Sequence, residues 1–232
     1  PATNWLAWYA NHLDAVEINN SFYSMPSDAT LTNWKESVDA DFRFGMKASR
    51  YITHMKKLKD PAKPLQRFLG AASALSPQLE TILFQLPPKW RANPGRLDRF
   101  LDAFAREKDS ILSGDDAERI RPVFEFRDPS WFAPEVYEVL ERHGASFCIY
   151  ELADLAAPRT MASDLVYIRL HGPAAAYEGS YHAQDLVGWA GAIHSWQRSG
   201  HEVRVYFDND QNGYAFHNAV KLSDMTEENR NA

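Results

Sequence analysis

PVFEFRDPSWFAPEVYEVLERHGASFCIY, residues 122–150, holds a complete structural unit. Pro122–Phe126 is a strand candidate in which apolar and polar residues alternate, with Phe124 and Phe126 on one parity and Glu125 and Arg127 on the other. Val136, Val139 and Leu140 then fall at helical spacing behind Pro134, and the pattern stops at Gly144, a helix-ending signal. Ser146–Tyr150 is a second apolar run of strand length. Strand, helix and strand joined in this way form a crossover, which makes the two strands parallel.

The same unit recurs on both sides. Further strand candidates are Ala15–Asn19, Phe42–Ala48, Thr81–Leu86, Leu165–Leu170 and Val203–Phe207. Leu31, Trp34 and Val38 form a helical stripe behind Ser27, a candidate N-cap. Leu65, Phe68, Leu69 and Ala72 form a second stripe. Leu97, Phe100, Leu101 and Phe104 follow Asn93-Pro94, an N-cap and a proline at the first helical position. Leu186, Trp189, Ala190, Ile193 and Trp196 form the last stripe and stop at Gly200. Seven strands behind an opening helix around Trp5–His12 imply a lost opening strand. The expected fold is therefore α/β, a TIM-type (β/α)8 barrel lacking or truncated at its first strand, with one degenerate β/α unit at Glu151–Asp164, too short and Ala/Pro-rich for a full helix. Such barrels take about 250 residues, and this chain has 232. Residues 1–225 are expected to form the single barrel domain and 226–232 a polar tail. The alternative, an open doubly wound sheet, lacks its G-x-G-x-x-G turn.

Apolar residues make up 45% of the chain, ample for a core of this size. No apolar run approaches the roughly 20 residues that cross a bilayer, and no membrane partner is expected. The one cysteine, Cys148, cannot form an internal disulfide and reads as a small buried hydrophobe; a cytoplasmic location follows as the default. The formal net charge of -6 disfavours a general nucleic-acid coat protein. Yet Lys47–Arg67 carries seven cations and one anion, a local charge of +6 that leaves -12 for the rest. This basic stretch is either a solvated surface or a loop that folds over an anion.

Polar residues two apart recur at the strand ends: Glu17 and Asn19, Lys47 and Ser49, Glu125 and Arg127, Arg169 and His171, Asp208 and Asp210. Strand side chains alternate faces, so each pair shares a face. The C-terminal strand ends are where barrels of this class do their chemistry, and Glu17, Lys47, Gln85, Glu125, Arg169 and Asp208 are expected around that end. Opposite charges there can pair, Glu125 with Arg169 or Lys47 with Glu17. The plain alternative is an ion-pair network that fixes strand register. His54 and His171 are the acid/base candidates, because histidine titrates near neutral pH; His143, His194 and His201 read as surface residues. A divalent metal held by Glu17, Glu125, His171 and Asp208 is a secondary option without a spaced ligand motif, so no metal ligands and no cofactor are assigned. Ser-His-Asp hydrolysis lacks its G-x-S-x-G elbow. The stretch from Gly172 to His182, with Tyr177, Gly179 and Tyr181, resembles a lid.

Several of these stretches, in this order, resemble one family. They are Val16-Glu17-Ile18-Asn19 with Phe22-Tyr23 and Pro26, Phe42-Arg43-Phe44, and Lys47 through His54. Phe84-Gln85-Leu86-Pro87-Pro88 and Phe124-Glu125-Phe126-Arg127 with Pro129-Ser130-Trp131 follow, then Arg169-Leu170-His171-Gly172 and Tyr206-Phe207-Asp208-Asn209-Asp210. The set resembles the YecE-like family of unknown function (domain of unknown function 72) over nearly the whole chain. The resemblance implies a TIM-type barrel and no established reaction. Two departures stand out: the family's opening Gly-Thr-Ser-Gly-Trp strand is absent, and Asp128 stands where the family commonly has His.

The leading functional expectation is an enzyme, a hydrolase or isomerase, acting on a small anionic or polyhydroxylated substrate such as a phosphate ester or sugar derivative. Lys47, Arg127 and Arg169 would neutralise the anion. Glu17 or Glu125 would be the base, and His54 or His171 the acid. Asn19, Gln85 and Asn209 would orient hydroxyls, with Tyr181 and Asp208 completing the binding set. The alternatives are a nucleic-acid-binding or phosphodiester-processing protein and a non-catalytic small-molecule binder. The oligomeric state is left open.

Overall fold

The alternation in Pro122–Phe126 is realised as a strand with one face against helices. A computed structural model describes residues 5–112, 114–152 and 155–228. It divides into two units, Pro1–Ala145 and Ser146–Ala232.

In the first unit the order is α1 (Trp5–Ala10), β1 (Ala15–Ile18), α2 (Asp28–Glu36), β2 (Arg43–Lys47), α3 (Ala62–Ala72), β3 (Leu79–Gln85), α4 (Pro94–Ile111), α5 (Asp115–Arg119), β4 (Arg121–Glu125) and α6 (Pro134–Arg142). β1, β2, β3 and β4 pair in sequence, all parallel. The expected caps are present. Ser27 accepts from the Thr30 N–H at 3.2 Å, and Asn93 Oδ1 accepts from the Arg96 N–H at 2.9 Å, each satisfying a donor that a helix start leaves open. Gly144, at a φ of 58°, follows α6 where an L side chain would be strained. Leu65, Phe68, Leu69 and Ala72 are all buried, as their stripe predicts.

The outer parity of β3 and β4 makes an aromatic core. Phe84 stacks on Phe124 at 5.2 Å between ring centroids, and Phe100 and Phe104 of α4 meet Phe84 edge-on at 5.0 and 5.6 Å. Phe126 stacks on Trp131 at 4.7 Å, and the Trp131 indole N–H donates to the Trp90 carbonyl at 2.6 Å. The edge-on pairs set the positive rim of one ring against the negative face of the next.

The second unit runs β5 (Ser146–Leu152), β6 (Leu155–Ala156), β7 (Leu165–Leu170), α7 (Ala183–Arg198), β8 (Glu202–Phe207) and α8 (Tyr214–Glu228). β7 is parallel to both β5 and β8, whereas β6 folds back antiparallel on β5. Leu186, Trp189, Ala190 and Ile193 of α7 are buried as predicted. Within Glu151–Asp164 the described residues hold this short hairpin and no helix, in keeping with the expected degenerate unit; residues 153 and 154 lie outside the described set. Cys148 is buried in β5.

Besides β6, three further elements were not anticipated. α5 is a single short turn. A five-residue turn at Tyr51–Met55 is wound wider than an α-helix, with the Lys56 N–H reaching the Tyr51 carbonyl at 2.9 Å. α8 carries Asn218 between Ala215 and Leu222 on its buried side, and that polar residue interrupts the apolar stripe by which a helix is recognised. No helix among the described residues is long and apolar enough to cross a membrane.

Phe124 is fully buried among three other aromatic rings. Phe124→Ala is expected to cost about 3–5 kcal/mol in a denaturant melt, the range for large core truncations. A loss under about 1 kcal/mol would mean that its surroundings collapse to fill the gap.

Candidate functional site

Strand register decides which end residues meet. In the first unit Glu17 lies opposite Gly45, Gly45 opposite Thr81, Lys47 opposite Leu83, and Gln85 opposite Glu125. Side chains alternate, so Glu17, Lys47, Gln85 and Glu125 share one face at the C-terminal ends of β1–β4. Asn19 directly follows β1 with helical dihedrals at the start of a short turn, and Arg127 lies two residues beyond β4.

Each has a distinct setting. Glu125 is fully buried, and both Nε and Nη2 of the buried Arg127 donate to its Oε1. A carboxylate without water needs such a partner, and the guanidinium fork supplies it. Lys47 is half-buried, its ammonium 4.7 Å from the Phe22 ring centroid. The Ser21 hydroxyl, near the Ile18 carbonyl at 2.9 Å, donates to the Lys47 carbonyl at 2.7 Å and ties the end of β1 to that of β2.

His54 meets the same Phe22 ring edge-on, 5.0 Å between centroids. Its Nδ1 lies 2.9 Å from the Thr53 hydroxyl, which itself reaches the Ser49 carbonyl at 3.5 Å. A threonine has one proton to donate. If it goes to Ser49, Thr53 accepts from the His54 Nδ1–H and Nε2 carries the lone pair. Partial burial, then the charges of Lys47 and Arg50, hold the His54 pKa below its ordinary value. The neutral ring is thus favoured at neutral pH.

In the second unit, Tyr150 lies opposite Arg169 and Arg169 opposite Tyr206. Arg169, His171 and Asp208 consequently share a face at the ends of β7 and β8. Arg169 Nη2 donates to Asp208 Oδ2 at 2.9 Å, and Nη1 to His171 Nε2 at 3.3 Å. Because the guanidinium can only donate, Nε2 accepts, and the His171 proton sits on Nδ1, which donates to the same Asp208 oxygen at 3.1 Å. Asp208, just beyond the end of the neighbouring strand, is thus one carboxylate partner of Arg169. Arg169 and His171 are buried, and Asp208 keeps partial contact with water.

The expected lid is fastened at several points. Gly172 has a φ of 109°, and a Cβ there would lie 2.4 Å from the Glu178 carbonyl oxygen, so only glycine fits. Its N–H donates to the Tyr181 hydroxyl at 3.1 Å; burial pushes the Tyr181 pKa up, keeping the phenol neutral. Asn209, fully buried, donates to the Gly179 carbonyl at 2.8 Å and to Asn218 Oδ1 at 3.0 Å. Asn218 also accepts from the Tyr181 N–H. Tyr181 and Asn209 thus meet in one buried polar cluster. The three histidines expected at the surface are instead all partly buried: His143 lies 2.8 Å from Asp98, and His194 Nε2 and His201 Nδ1 are shielded from water.

Thr53, Ser21 and Asn218 were missed in the sequence. All three are small polar residues that act by hydrogen bonds to positions fixed only on folding, and nothing in their local pattern marks them. Among the described residues no three His, Cys, Asp or Glu side chains gather as a metal site.

The profile of a family described as "Protein of unknown function DUF72" matches residues 1–232. The protein named "UPF0759 protein YecE" of Escherichia coli (strain K12) is 33% identical over 101 residues, covering 43% of this chain and 37% of that protein, so the match spans little more than a third of that relative. "UPF0759 protein YunF" of Bacillus subtilis (strain 168) is 24% identical over 248 residues, covering 94% of this chain and 84% of its own. Among solved structures, a DUF72 family protein of Thermotoga maritima MSB8 matches with a TM-score of 0.81 and 24% identity, over 98% of this chain and 90% of that one. One from Enterococcus faecalis V583 gives 0.79 and 21%, over 96% and 93%. These likenesses show the fold, the α/β TIM-like barrel expected from the sequence.

Arg169→Met leaves Asp208 without its guanidinium. The expected loss is about 3 kcal/mol, at the low end for breaking a buried pair because Asp208 still reaches water. Thermal and denaturant melts measure it, and Arg169→Lys, which keeps the charge but not the fork, is expected to recover only part. An unchanged midpoint in Arg169→Met would show that the pair contributes nothing to stability.

Proposed function

Because the chain belongs to the DUF72 family, a family of unknown function, we propose its activity from its own side chains: it acts on a small anionic or polyhydroxylated molecule, a phosphate ester or sugar derivative, by general acid/base chemistry at the C-terminal ends of β1–β4. The observation that carries this reading is His54. Its ring is held neutral by partial burial beside Lys47 and Arg50. A base near cations is poised to respond to an anion. When a phosphate or carboxylate settles on Lys47, it offsets the positive field that keeps the proton off His54. The histidine can then take a proton from the ligand or the solvent and return it to a leaving oxygen, as a general acid/base does.

The other residues take supporting roles. Lys47 binds the anion as a point charge. Glu17 and Gln85, on the same face, and Asn19 just past the end of β1 orient hydroxyls. Glu125 and Arg127 neutralise each other and fix the end of β4. Arg169, His171 and Asp208 perform the equivalent task in the second unit, where both ring nitrogens of His171 already have protein partners. Of the two candidate histidines, His54 is therefore the one assigned to proton transfer. The reaction class that fits is hydrolysis or isomerisation; a binder without turnover would keep the anion and lose the proton transfer.

The pH dependence has a definite sign. With its folded pKa lowered, His54 binds fewer protons in the native than in the unfolded state between the two values. Its contribution to stability is full above the ordinary histidine value of about 6.5 and declines as pH falls through the folded value. NMR titration of the His54 ring is expected to give a midpoint below the ordinary value, moving upward when inorganic phosphate is added. Lys47→Met should raise the midpoint in the free protein and remove the phosphate response. A midpoint that phosphate leaves unmoved in the unaltered protein would sink the proposal.

A further inference from the structure

A groove of about 810 Å³ runs between α3, α4 and the wide turn Tyr51–Met55, all within the first unit. Its cationic residues are Lys56, Lys63, Arg67, Arg99 and Arg106, against the single anion Asp60. Lys56 pairs with Asp60 at 3.1 Å. Among the described residues Lys63, Arg67, Arg99 and Arg106 have no carboxylate in ion-pair contact. Buried Ile52, Phe68 and Ala103 give the groove an apolar floor, and Tyr51, 46% exposed, stands on its wall.

The cations form two rows. Lys63 and Arg67 are one turn apart on α3, about 6 Å along its axis; Arg99 and Arg106 are two turns apart on α4, about 10.5 Å. Unpaired like charges facing one another across a groove repel, and an anion between them relieves that repulsion. Guanidinium forks match phosphate oxygens two at a time.

We propose that this groove is a binding site for a small phosphorylated molecule bearing a planar ring, the chemistry of a mononucleotide. The phosphate lies between the two cationic rows, and the ring lies on Tyr51 over the apolar floor. Charge limits the size of the ligand. The groove carries a formal +4, which leaves -10 for the rest of a chain whose net charge is -6. A long polyanion would leave the groove and meet that negative remainder, whereas one nucleotide stays within it. The site is separate from the strand-end site, since Glu17, Asn19, Lys47, His54, Gln85 and Glu125 do not line it. It stands or falls independently of the activity proposed there.

The test is titration of the full chain with adenosine 5′-monophosphate, read at the Tyr51 ring resonances, with inorganic phosphate, adenosine and an oligothymidylate as competitors. The nucleotide is expected to shift the Tyr51 signals in a saturable way and to bind more tightly than either phosphate or adenosine. Arg67→Gln combined with Arg99→Gln should weaken it by at least about tenfold, the loss of one to two charge-assisted hydrogen bonds. These residues are exposed, and circular dichroism confirms that the fold is kept. Tyr51→Ala should weaken the nucleotide but not inorganic phosphate. The phosphate response of His54 should persist in the Arg67/Arg99 variant, so that failure at one site is distinguishable from failure at the other. Tyr51 signals unmoved at millimolar nucleotide, or a double variant that binds as well as the parent, would overturn the proposal. So would oligothymidylate displacing the nucleotide at equal phosphate concentration, which would assign the groove to a nucleic-acid strand.

Discussion

The alternation of side chains along parallel strands is the constraint on which everything else here depends. A strand in this chain has two unlike neighbours, helices on one face and neighbouring strands' polar ends on the other. On β3 and β4 the outer parity is filled by Phe84 and Phe124, whose rings lock against Phe100 and Phe104 of α4. That packing leaves no freedom in register. A slip of one residue would drive Glu125 into the aromatic layer and Phe124 out of it. Once the aromatic face is seated, Glu17, Lys47, Gln85 and Glu125 have to meet at one end. The polar site is thus a consequence of apolar packing on the opposite face.

The same constraint forces polar groups out of water, and the molecule answers by pairing them. Glu125 holds Arg127 from its own strand end. Asp208 holds both Arg169 and His171 from the neighbouring strand. The two arrangements differ in reach. The first links two residues of one strand end and stiffens it; the second spans two strands and so records their register. Removing a partner from either leaves a buried charge, which is why such residues are costly to change even where they touch no substrate.

Most of the fold was legible because its signals are local. Alternating parity, the Ser27 and Asn93 caps and the stops at Gly144 and Gly200 depend on neighbours within a few positions, and each became the expected element. α8 was not legible, since Asn218 takes a buried position for a polar reason, its bonds to Tyr181, Ser180 and Asn209. The inward polar set was legible as a set, from its two-residue spacing. The Arg169–Asp208 contact was not, because only the register of β7 with β8 brings the two together. Whether a histidine is held or available could not be read either, because the partners of His54 in its turn and of His171 at its strand end are set only on folding. Arg99 and Arg106 lie far along the chain from the basic stretch, and only the packing of α3 beside α4 brings them to it.

That basic stretch shows how one feature of sequence becomes two environments in space. Lys47 through Arg67 is one net-positive stretch when read in order. The wide turn at Tyr51–Met55 divides it. Residues before the turn, Lys47 and Arg50, add to partial burial in lowering the His54 pKa. Beyond it, Lys56, Lys63 and Arg67 line the groove beside α4. The turn itself contributes to both sides, with His54 on Phe22 and Tyr51 on the groove wall. An α-turn advances 100° per residue, so an extra residue per turn changes which side chains share a face. Widening the turn at this point keeps the histidine with the strand ends while turning the tyrosine outward. The local charge of the segment is therefore a poor guide to any single function: it is the sum of a field that tunes one histidine and a surface that can hold an anion of its own.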